Sequence, residues 1–446
     1  MSSTKSVTIA GAGLVGSLIG IYLARRGYKV EIFEKRPDMR QKGMEGGRSI
    51  NLALSNRGWW PLKEVGLENQ VQDMIIPMAG RAMHDSSGDL TFQPYGKEGQ
   101  AINSISRGGL NALLMTEAEK AGAVIHFNCT IEHIDFDQST ISCVKDGKPM
   151  MHLSDVIIGS DGAFSVVRKF MQITDRFNYS QHYIEHGYKE LSIPAGKNGE
   201  FLLDKNALHI WPRGNYMLIA LPNKDASFTC TLFLAFEGER SFSQLKTDDD
   251  ILNFFRQDFP DAFERMPTLL EDFHHNPTSS LVTVRCYPWV KNKTLLIGDA
   301  SHAIVPFYGQ GMNSGFEDCR VLNALLDKHG DNWDKVLPEF QKERKPDADA
   351  ISHLALSNFI EMRDLVGDEN FLLRKKIEAR LYELYPEEWI PLYSMVTFKE
   401  ELRYSEALRQ GETQQRIMDE VMRSPDIHER WMDLDFRSIA DRLKAT

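Results

Sequence analysis

Cysteine is scarce in this chain, and what there is shows no arrangement. Cys129, Cys143, Cys230, Cys286 and Cys319 are scattered through 446 residues with no C-x-x-C pair. An odd, dispersed set argues against a disulfide framework or a cysteine-rich zinc site and suits a reducing cytosol. Positive charge is also in deficit: 52 Lys and Arg face 63 Asp and Glu, a net charge of −11. A general nucleic-acid binder carries a basic excess, so that partner is not expected, although a local positive patch is still allowed. Long hydrophobic runs are missing as well. Val7 to Ala24 holds no charge, but Gly11, Gly13, Gly16 and Gly20 interrupt it and no A-x-A cleavage pattern follows. A buried strand, a tight turn and a helix fit these letters better than a membrane span or signal peptide. The final stretch, Phe436 to Thr446, is polar without a hydrophobic tail, so a soluble, cytoplasmic protein with no membrane partner is expected. The pair His274-His275 after Asp272 is an incomplete ligand set whose adjacent side chains diverge, so no metal is expected and both read as surface histidines.

What is present describes a globular protein: 42% apolar and 26% charged residues, in a chain long enough for two or three domains. Val7–Ala10 reads as a buried strand, Leu14–Arg26 as a helix with Gly27 past its end, and Lys29–Glu34 as a second strand, which together make one βαβ unit. A helix at Gly109–Ala121 and a strand at Val124–Asn128 follow. Val156–Gly159 and Thr294–Ile297 are further buried strands, the first leading to a helix at Phe164–Met171. Between them, Tyr188–Ile193, Ala207–Trp211, Tyr216–Leu221 and Thr229–Phe236 are short, aromatic and β-branched, with turn signals between, which predicts an antiparallel sheet. Beyond Asn332 the composition is helical. The expected fold is α/β. A Rossmann-like nucleotide domain is assembled from discontinuous segments (1–75, 100–175 and 285–325). An antiparallel β-sheet substrate domain covers 76–99 and 176–284, and a helical region covers 326–446.

Three motifs carry the chemistry. Gly11-Ala12-Gly13-Leu14-Val15-Gly16 follows a strand and opens a helix, and Glu34 ends the next strand, which is the context a dinucleotide fingerprint demands. Gly11 permits the tight turn, Gly13 lets backbone approach a pyrophosphate, and Gly16 lets helix and sheet pack closely. The helix N-terminus offers free N–H groups to phosphate. Glu34 would accept hydrogen bonds from a ribose diol and disfavours a 2′-phosphate, which leaves FAD or NAD. Ile157–Ala163 places Asp161 in a strand-to-helix turn with Arg168 a helical turn on, and Thr294–His302 places Asp299 in another, leading to Pro306–Asn313. Either Asp alone could be only a helix cap. Arg107 opens a helix, where a cation opposes the macrodipole, and this favours a ligand-directed role over a surface charge.

In this order the three motifs resemble the fingerprints of the class A flavoprotein monooxygenases. Strings outside them resemble the kynurenine 3-monooxygenase family: Gly47–Leu54, Phe92–Gly96, Gly187–Leu191, His209–Pro212 and Tyr393–Phe398. The resemblance spans about residues 5–410. It implies tightly bound FAD, with NADPH and O₂ as co-substrates; no second G-x-G-x-x-G provides a permanent nicotinamide domain. It implies FAD contacts at Gly11, Gly13, Val15, Gly16, Glu34, Lys35, Arg36, Ala53, Arg107, Asp161, Asp299, Gly311, Met312 and Asn313. Asp299 would hold the ribityl chain, and the Gly309–Asn313 loop would offer backbone N–H groups to the flavin. It further implies a small aromatic amino acid substrate, with Arg81 on its carboxylate and Tyr95, Tyr393 and Asn358 around its polar end. Read without the family, Arg81 would sit on a strand edge, Tyr95 in an ordinary loop and Asn358 on an ordinary helix. Tyr308 departs from the family pattern, in which Phe or His stands beside the flavin loop.

The implied reaction is hydroxylation of L-kynurenine to 3-hydroxykynurenine through a flavin C4a-hydroperoxide, the flavin carrying the chemistry and no catalytic side chain assigned. Membrane-bound relatives carry an apolar C-terminal anchor, so a soluble bacterial-type form is implied. A hydroxylase of a phenol or anthranilate-like acid is the nearest alternative. A halogenase would show W-x-W-x-I-P, which Trp211-Pro212-Arg213 does not match. A non-catalytic FAD or NAD module is the alternative of another class.

Overall fold

The buried strand expected at the start is β1 (Ser6–Ala10), four of whose five residues are buried, as a strand covered on both faces requires. The computed structural model describes residues 5–41, 51–96, 99–361 and 368–444, so the Gly47–Ile50 part of one family string lies outside the described residues. Helix α1 (Leu14–Arg25) ends as Gly27 turns left-handed at φ 83°, and β2 (Lys29–Phe33) returns parallel to β1. Next come β3 (Asn51–Leu54), α2 (Asn56–Glu64), α3 (Glu68–Gln72), β4 (Ile76–Met78), β5 (Gly80–His84) and β6 (Leu90–Pro94). Strand β7 (Ile102–Ser106) runs directly into α4 (Arg107–Lys120), and β8 (Val124–His126) follows. Then β9 (Cys129–Asp135), β10 (Thr140–Lys145) and β11 (Lys148–Leu153) form an antiparallel meander before β12 (Val156–Gly159) and α5 (Val166–Met171).

A long β13 (Asn178–Ile193) opens the second half, with β14 (Ala207–Pro212), β15 (Met217–Pro222) and β16 (Phe228–Ala235) after it. Helices α6 (Asp248–Asp258), α7 (Pro260–Phe263) and α8 (Leu269–His275) precede β17 (Thr278–Tyr287), β18 (Val290–Lys291), β19 (Thr294–Leu296) and the one-turn α9 (Asp299–His302). The remainder is helical: α10 (Gly311–His329), α11 (Trp333–Ile360), α12 (Glu369–Leu384), α13 (Leu392–Phe398), α14 (Tyr404–Val421), α15 (Ile427–Arg430) and α16 (Phe436–Asp441).

Among the described residues two sheets organise the molecule. The first has the order β18-β19-β12-β1-β2-β8, parallel except for the β18–β19 edge pair. The carboxyl ends of β1, β12 and β19 therefore lie side by side and deliver the Gly11, Asp161 and Asp299 turns to one edge, where open α/β sheets bind ligands. The second sheet, β17-β13-β16-β15-β14-β5-β6, is antiparallel except where β14 meets β5. Its side chains alternate: Trp211, Leu232 and Leu234 face a core with α6–α8, whereas Ile210 and Phe233 face one with α11, α13 and α14. A small sheet, β3-β7-β4, is interleaved with them in sequence, since β5 and β6 fall between β4 and β7.

Three local expectations change. Arg81 is not on a strand edge: β5 is paired on both sides, to β14 and β6. Strand β13 begins ten residues before the expected Tyr188, because its polar first half pairs with β17 rather than burying a hydrophobic face. The β9–β11 meander was not anticipated; its strands are short, and one register shift falls between Ser142 and Cys143.

Candidate active site

The glycine turn is shaped by what a side chain would strike. At Gly11, φ is 91° and a Cβ would lie 2.9 Å from the Asp161 Cα. At Gly16 it would lie 2.0 Å from the Gly11 carbonyl oxygen, so α1 packs onto β1 only with hydrogen there. At Gly13 none of the described residues comes within 4 Å of a Cβ, so that backbone is open to a ligand at the start of α1. Glu34 is buried beside the turn and accepts hydrogen bonds from the Ala12 N–H (3.0 Å) and from Arg36 through its backbone N–H and Nε (both 2.9 Å). Burial works to raise its pKa, but the Arg36 contacts outweigh this and hold it below the ordinary value. Lys35 and Arg36 are exposed next to it.

Asp161 spends one oxygen on α5, accepting from Val166 N–H at 2.6 Å, so it does serve as a helix cap. Its other oxygen is buried with no hydrogen-bond partner among the described residues, and burial raises its pKa. Asp299 stands exposed at the start of α9, after Gly298 at φ 58°, in a stretch where Thr294–Gly298 and Ala300 are all buried. Arg168 joins these two turns: its guanidinium donates to the Ala300 carbonyl at 2.7 Å and to the Ala163 carbonyl. Val15 sits under both Gly298 and Gly315, whose Cβ atoms would meet it at 3.1 and 2.6 Å.

The loop before α10 is tied by Asn313. Its side chain accepts from the Ser55 N–H (3.0 Å) and donates to the carbonyls of Ala53 (2.9 Å) and Gly309 (2.8 Å). Gly309 is left-handed at φ 65°, facing Ala53. The first N–H groups of α10, at Gly311 and Met312, have no intrahelical acceptor. Arg107 is exposed at the first position of α4, whose N-terminus Ser106 caps.

A second cluster lies on the sheet face opposite α6–α8. The Arg81 guanidinium lies 4.8 Å from the Tyr393 ring centre and 5.4 Å from that of Tyr95. Tyr95 and Tyr393 stack at 5.5 Å, and Tyr308 stacks on Tyr393 at 5.3 Å. Burial raises the pKa of all three phenols, so they remain protonated donors at neutral pH. Tyr393 and Tyr95 act on Arg81, and among the described residues no carboxylate pairs with it. Asn358, on α11, donates to the Phe307 carbonyl at 2.8 Å, so it is anchored to the same loop. Phe307 packs against Phe233 and Phe359 at 5.0 and 4.4 Å.

Beneath the loop runs a buried ionic network that sequence reading did not find. Asp318 accepts from the Gly298 N–H, His302 and Arg344 at 2.9, 2.6 and 2.8 Å. Burial would raise Asp318, but His302 and Arg344 bring it down to about 2. Arg344 also pairs with Glu317, which in turn pairs with Arg57 at 3.0 Å. The only sequence signal is a Glu-Asp pair in a helix stretch that is otherwise small and apolar. His274 is exposed and pairs with Asp248 at 2.8 Å. Among the described residues no helix is long and apolar enough to cross a membrane.

A parallel nucleotide-type sheet with three ligand-edge turns, set against a mixed sheet and capped by helices, defines the FAD-binding monooxygenase class of fold. Residues 4–355 match the family described as FAD binding domain. A kynurenine 3-monooxygenase of Christiangramia forsetii is 50% identical over 434 residues, 97% of each chain. One of Myxococcus xanthus is 47% identical over 99% of this chain and 95% of its own. One of Anopheles gambiae is 45% identical over 93% of this chain and 86% of its own. Among solved structures, 2-methyl-3-hydroxypyridine-5-carboxylic acid oxygenase shares the fold with a TM-score of 0.67 at 19% identity, over 82% of this chain and 94% of that one. The chain belongs to the kynurenine 3-monooxygenase family.

Proposed function

We propose that this protein is an FAD-dependent hydroxylase that consumes NADPH and O₂ and converts L-kynurenine to 3-hydroxykynurenine. The observation that carries the substrate is Arg81, a half-buried cation set against phenols, with which no carboxylate pairs among the described residues. A charge partly withdrawn from water calls for a partner, and a planar guanidinium matches an amino-acid carboxylate on both oxygens. Tyr95 and Tyr393 would donate to that carboxylate, and Asn358 would close the polar end.

The residues of the first cluster fit FAD. Gly13 leaves room where a Cβ would stand, Asp161 holds an orphaned oxygen, and Asp299 projects from a buried turn. We assign the pyrophosphate to Gly11, Gly13, Val15 and Gly16, and the adenosine end to Glu34, Lys35 and Arg36. Asp299 takes the ribityl chain, and Ala53, Gly311, Met312 and Asn313 the ring, with Arg107 and Asp161 flanking. Bound there, the flavin supplies the redox chemistry that activates O₂. The chain's own residues bind, orient and exclude water. Arg81 and the phenols fix the amino-acid end, and Phe233, Phe307 and Phe359 form apolar wall near the loop. The aromatic amine of the substrate activates its own ortho carbon, so no protein base is needed.

We also propose the division into FAD-binding (1–75, 100–175, 285–325), substrate (76–99, 176–284) and helical (326–446) domains. A cytoplasmic setting is favoured by five buried, free cysteines. The test is product identification. Purified yellow protein with L-kynurenine, NADPH and O₂ should yield 3-hydroxykynurenine, with flavin reduction accelerated by L-kynurenine. Turnover of phenols or anthranilates without L-kynurenine turnover overturns the substrate assignment and leaves the flavin assignment standing.

A further inference from the structure

Behind the Arg81 cluster, on the other face of the same sheet, two buried histidines form a chain with no part in the reaction above. His84 Nδ1 lies 2.8 Å from Asp261 Oδ2, and His84 Nε2 lies 2.9 Å from His209 Nδ1. His209 Nε2 lies 2.8 Å from the Asp204 carbonyl oxygen. Both residues are at most 5% exposed. Trp211 stacks on His84 at 4.0 Å and donates its indole N–H to both Asp261 oxygens at 2.9 Å.

The ring protons of this chain can be counted. A carboxylate and a carbonyl end it, and both only accept, so the outer contacts each need an N–H from a ring. The middle contact joins two ring nitrogens, and one of them must also carry a proton. Three ring protons are required, whereas two neutral imidazoles supply two. Asp261 does not supply the third: burial would raise its pKa, but the bonds from His84 and Trp211 bring it down to about 2. The extra charge is placed at the Asp261 end of the chain by geometry, since the carboxylate lies 2.8 Å from the nearer ring and a carbonyl ends the other side.

Other charges surround the pair. The Arg213 guanidinium donates to the His84 carbonyl at 3.0 Å and opposes the added proton. Asp85, Asp258 and Asp261 act on Arg213 and offset it, and the Asp204 carboxyl acts on His209. Strand β6 brings only Leu90 opposite His84.

We infer that His84 and His209 share a buried imidazolium that clamps β5 to β14 and α7 and thereby positions Arg81 for substrate. Arg81 is three residues from His84 on β5, and it is registered against Leu208, next to His209, on β14. Loss of the third proton at alkaline pH leaves one contact of the chain, at the ring pair or at Asp261, with lone pairs on both sides, and the clamp between β5, β14 and α7 must relax. Substrate binding then weakens while the flavin site, on the other sheet, is untouched. His84 is a positioning residue and touches no reactant.

The test uses the flavin-loaded protein. With ¹⁵N-histidine labelling, the His84 ring, assigned by its loss in His84→Gln, should carry protons on both nitrogens at pH 7. A neutral His84 at pH 7 overturns the proposal. The KM for L-kynurenine should rise with alkaline pH in the wild type. In His84→Gln it should be about fivefold higher and flat over that range, with kcat and flavin absorbance near 450 nm retained. An unchanged KM and pH profile overturns the positioning role. If His84→Gln loses flavin, Asp261→Asn decides: the KM rise should move to lower pH, and an unmoved profile overturns the role. The activity readout rests on the proposed substrate and the spectrum does not. Absence of any kynurenine-dependent NADPH oxidation in the wild type would count against the substrate alone.

Discussion

At Arg81 the proposed carboxylate contact can be given a magnitude. A charged hydrogen bond to a carboxylate contributes about 1.5–3 kcal/mol, roughly one to two decades in binding. Arg81→Met should raise the KM for L-kynurenine at least about tenfold while flavin content stays constant. Arg81→Lys should fall between, since it keeps the charge and loses the planar fork. Gly16 is the opposite case, where nothing polar is at stake. A Cβ there would stand 2.0 Å from a backbone oxygen, so Gly16→Ala must push α1 off β1. The expected outcome is a protein about 1–3 kcal/mol less stable and depleted of flavin, read by thermal melting and by absorbance near 450 nm. Asp318 makes a pH prediction. Its folded value of about 2 lies below the ordinary carboxyl value of about 3.9. Its contribution is therefore present above about pH 4 and lost as pH falls toward 2, an effect on the order of 2 kcal/mol. In Asp318→Asn that part of the acid-unfolding curve should be missing.

Elements show how the helical region is joined to the cofactor side. Helix α11 sends Arg344 and Asp347 into the same network as Glu317 and Asp318 of α10, and Arg403, just before α14, pairs with Asp347. Arg57 of α2 reaches the Val396 carbonyl of α13 at 2.7 Å and lies 4.2 Å over the Tyr404 ring of α14. Removing Arg344 leaves three buried carboxylates with one cation fewer between them. Arg344→Met should cost about 3–5 kcal/mol and lower the Tm. It should also loosen flavin retention, because Asp318 holds the Gly298 N–H at the Asp299 turn. Helices and buried strands of the first sheet were legible to within a few residues, since continuous apolar runs and glycine punctuation are local signals. The place of β5 was not, because pairing on both sides comes from strands β14 and β6, one of them more than a hundred residues away.

For the whole molecule, ligand-edge turns from β1, β12 and β19 converge only when the chain is folded, so FAD should act as a cross-link between distant segments. At free FAD near 100 Kd the stabilisation is about 2.7 kcal/mol. Stripping the flavin should therefore lower the Tm by several degrees, and adding FAD back should restore it, measured by thermal scans of both forms. No difference in Tm would contradict flavin binding at this edge.

The glycine spacing, Glu34 and the two aspartate turns could be read in advance because each motif works within a single strand–turn–helix and its constraint is steric and local. The proposed substrate residues came through family resemblance, because Arg81, Tyr95 and Tyr393 are ordinary letters in ordinary elements until three segments meet. The Asp318–Arg344 network left only the Glu317-Asp318 pair as a trace in the sequence, and the His84–His209 chain left none. A buried ion pair or a shared proton is specified by the desolvation that folding imposes and by partners tens to hundreds of residues away, and only the tertiary structure brings those together.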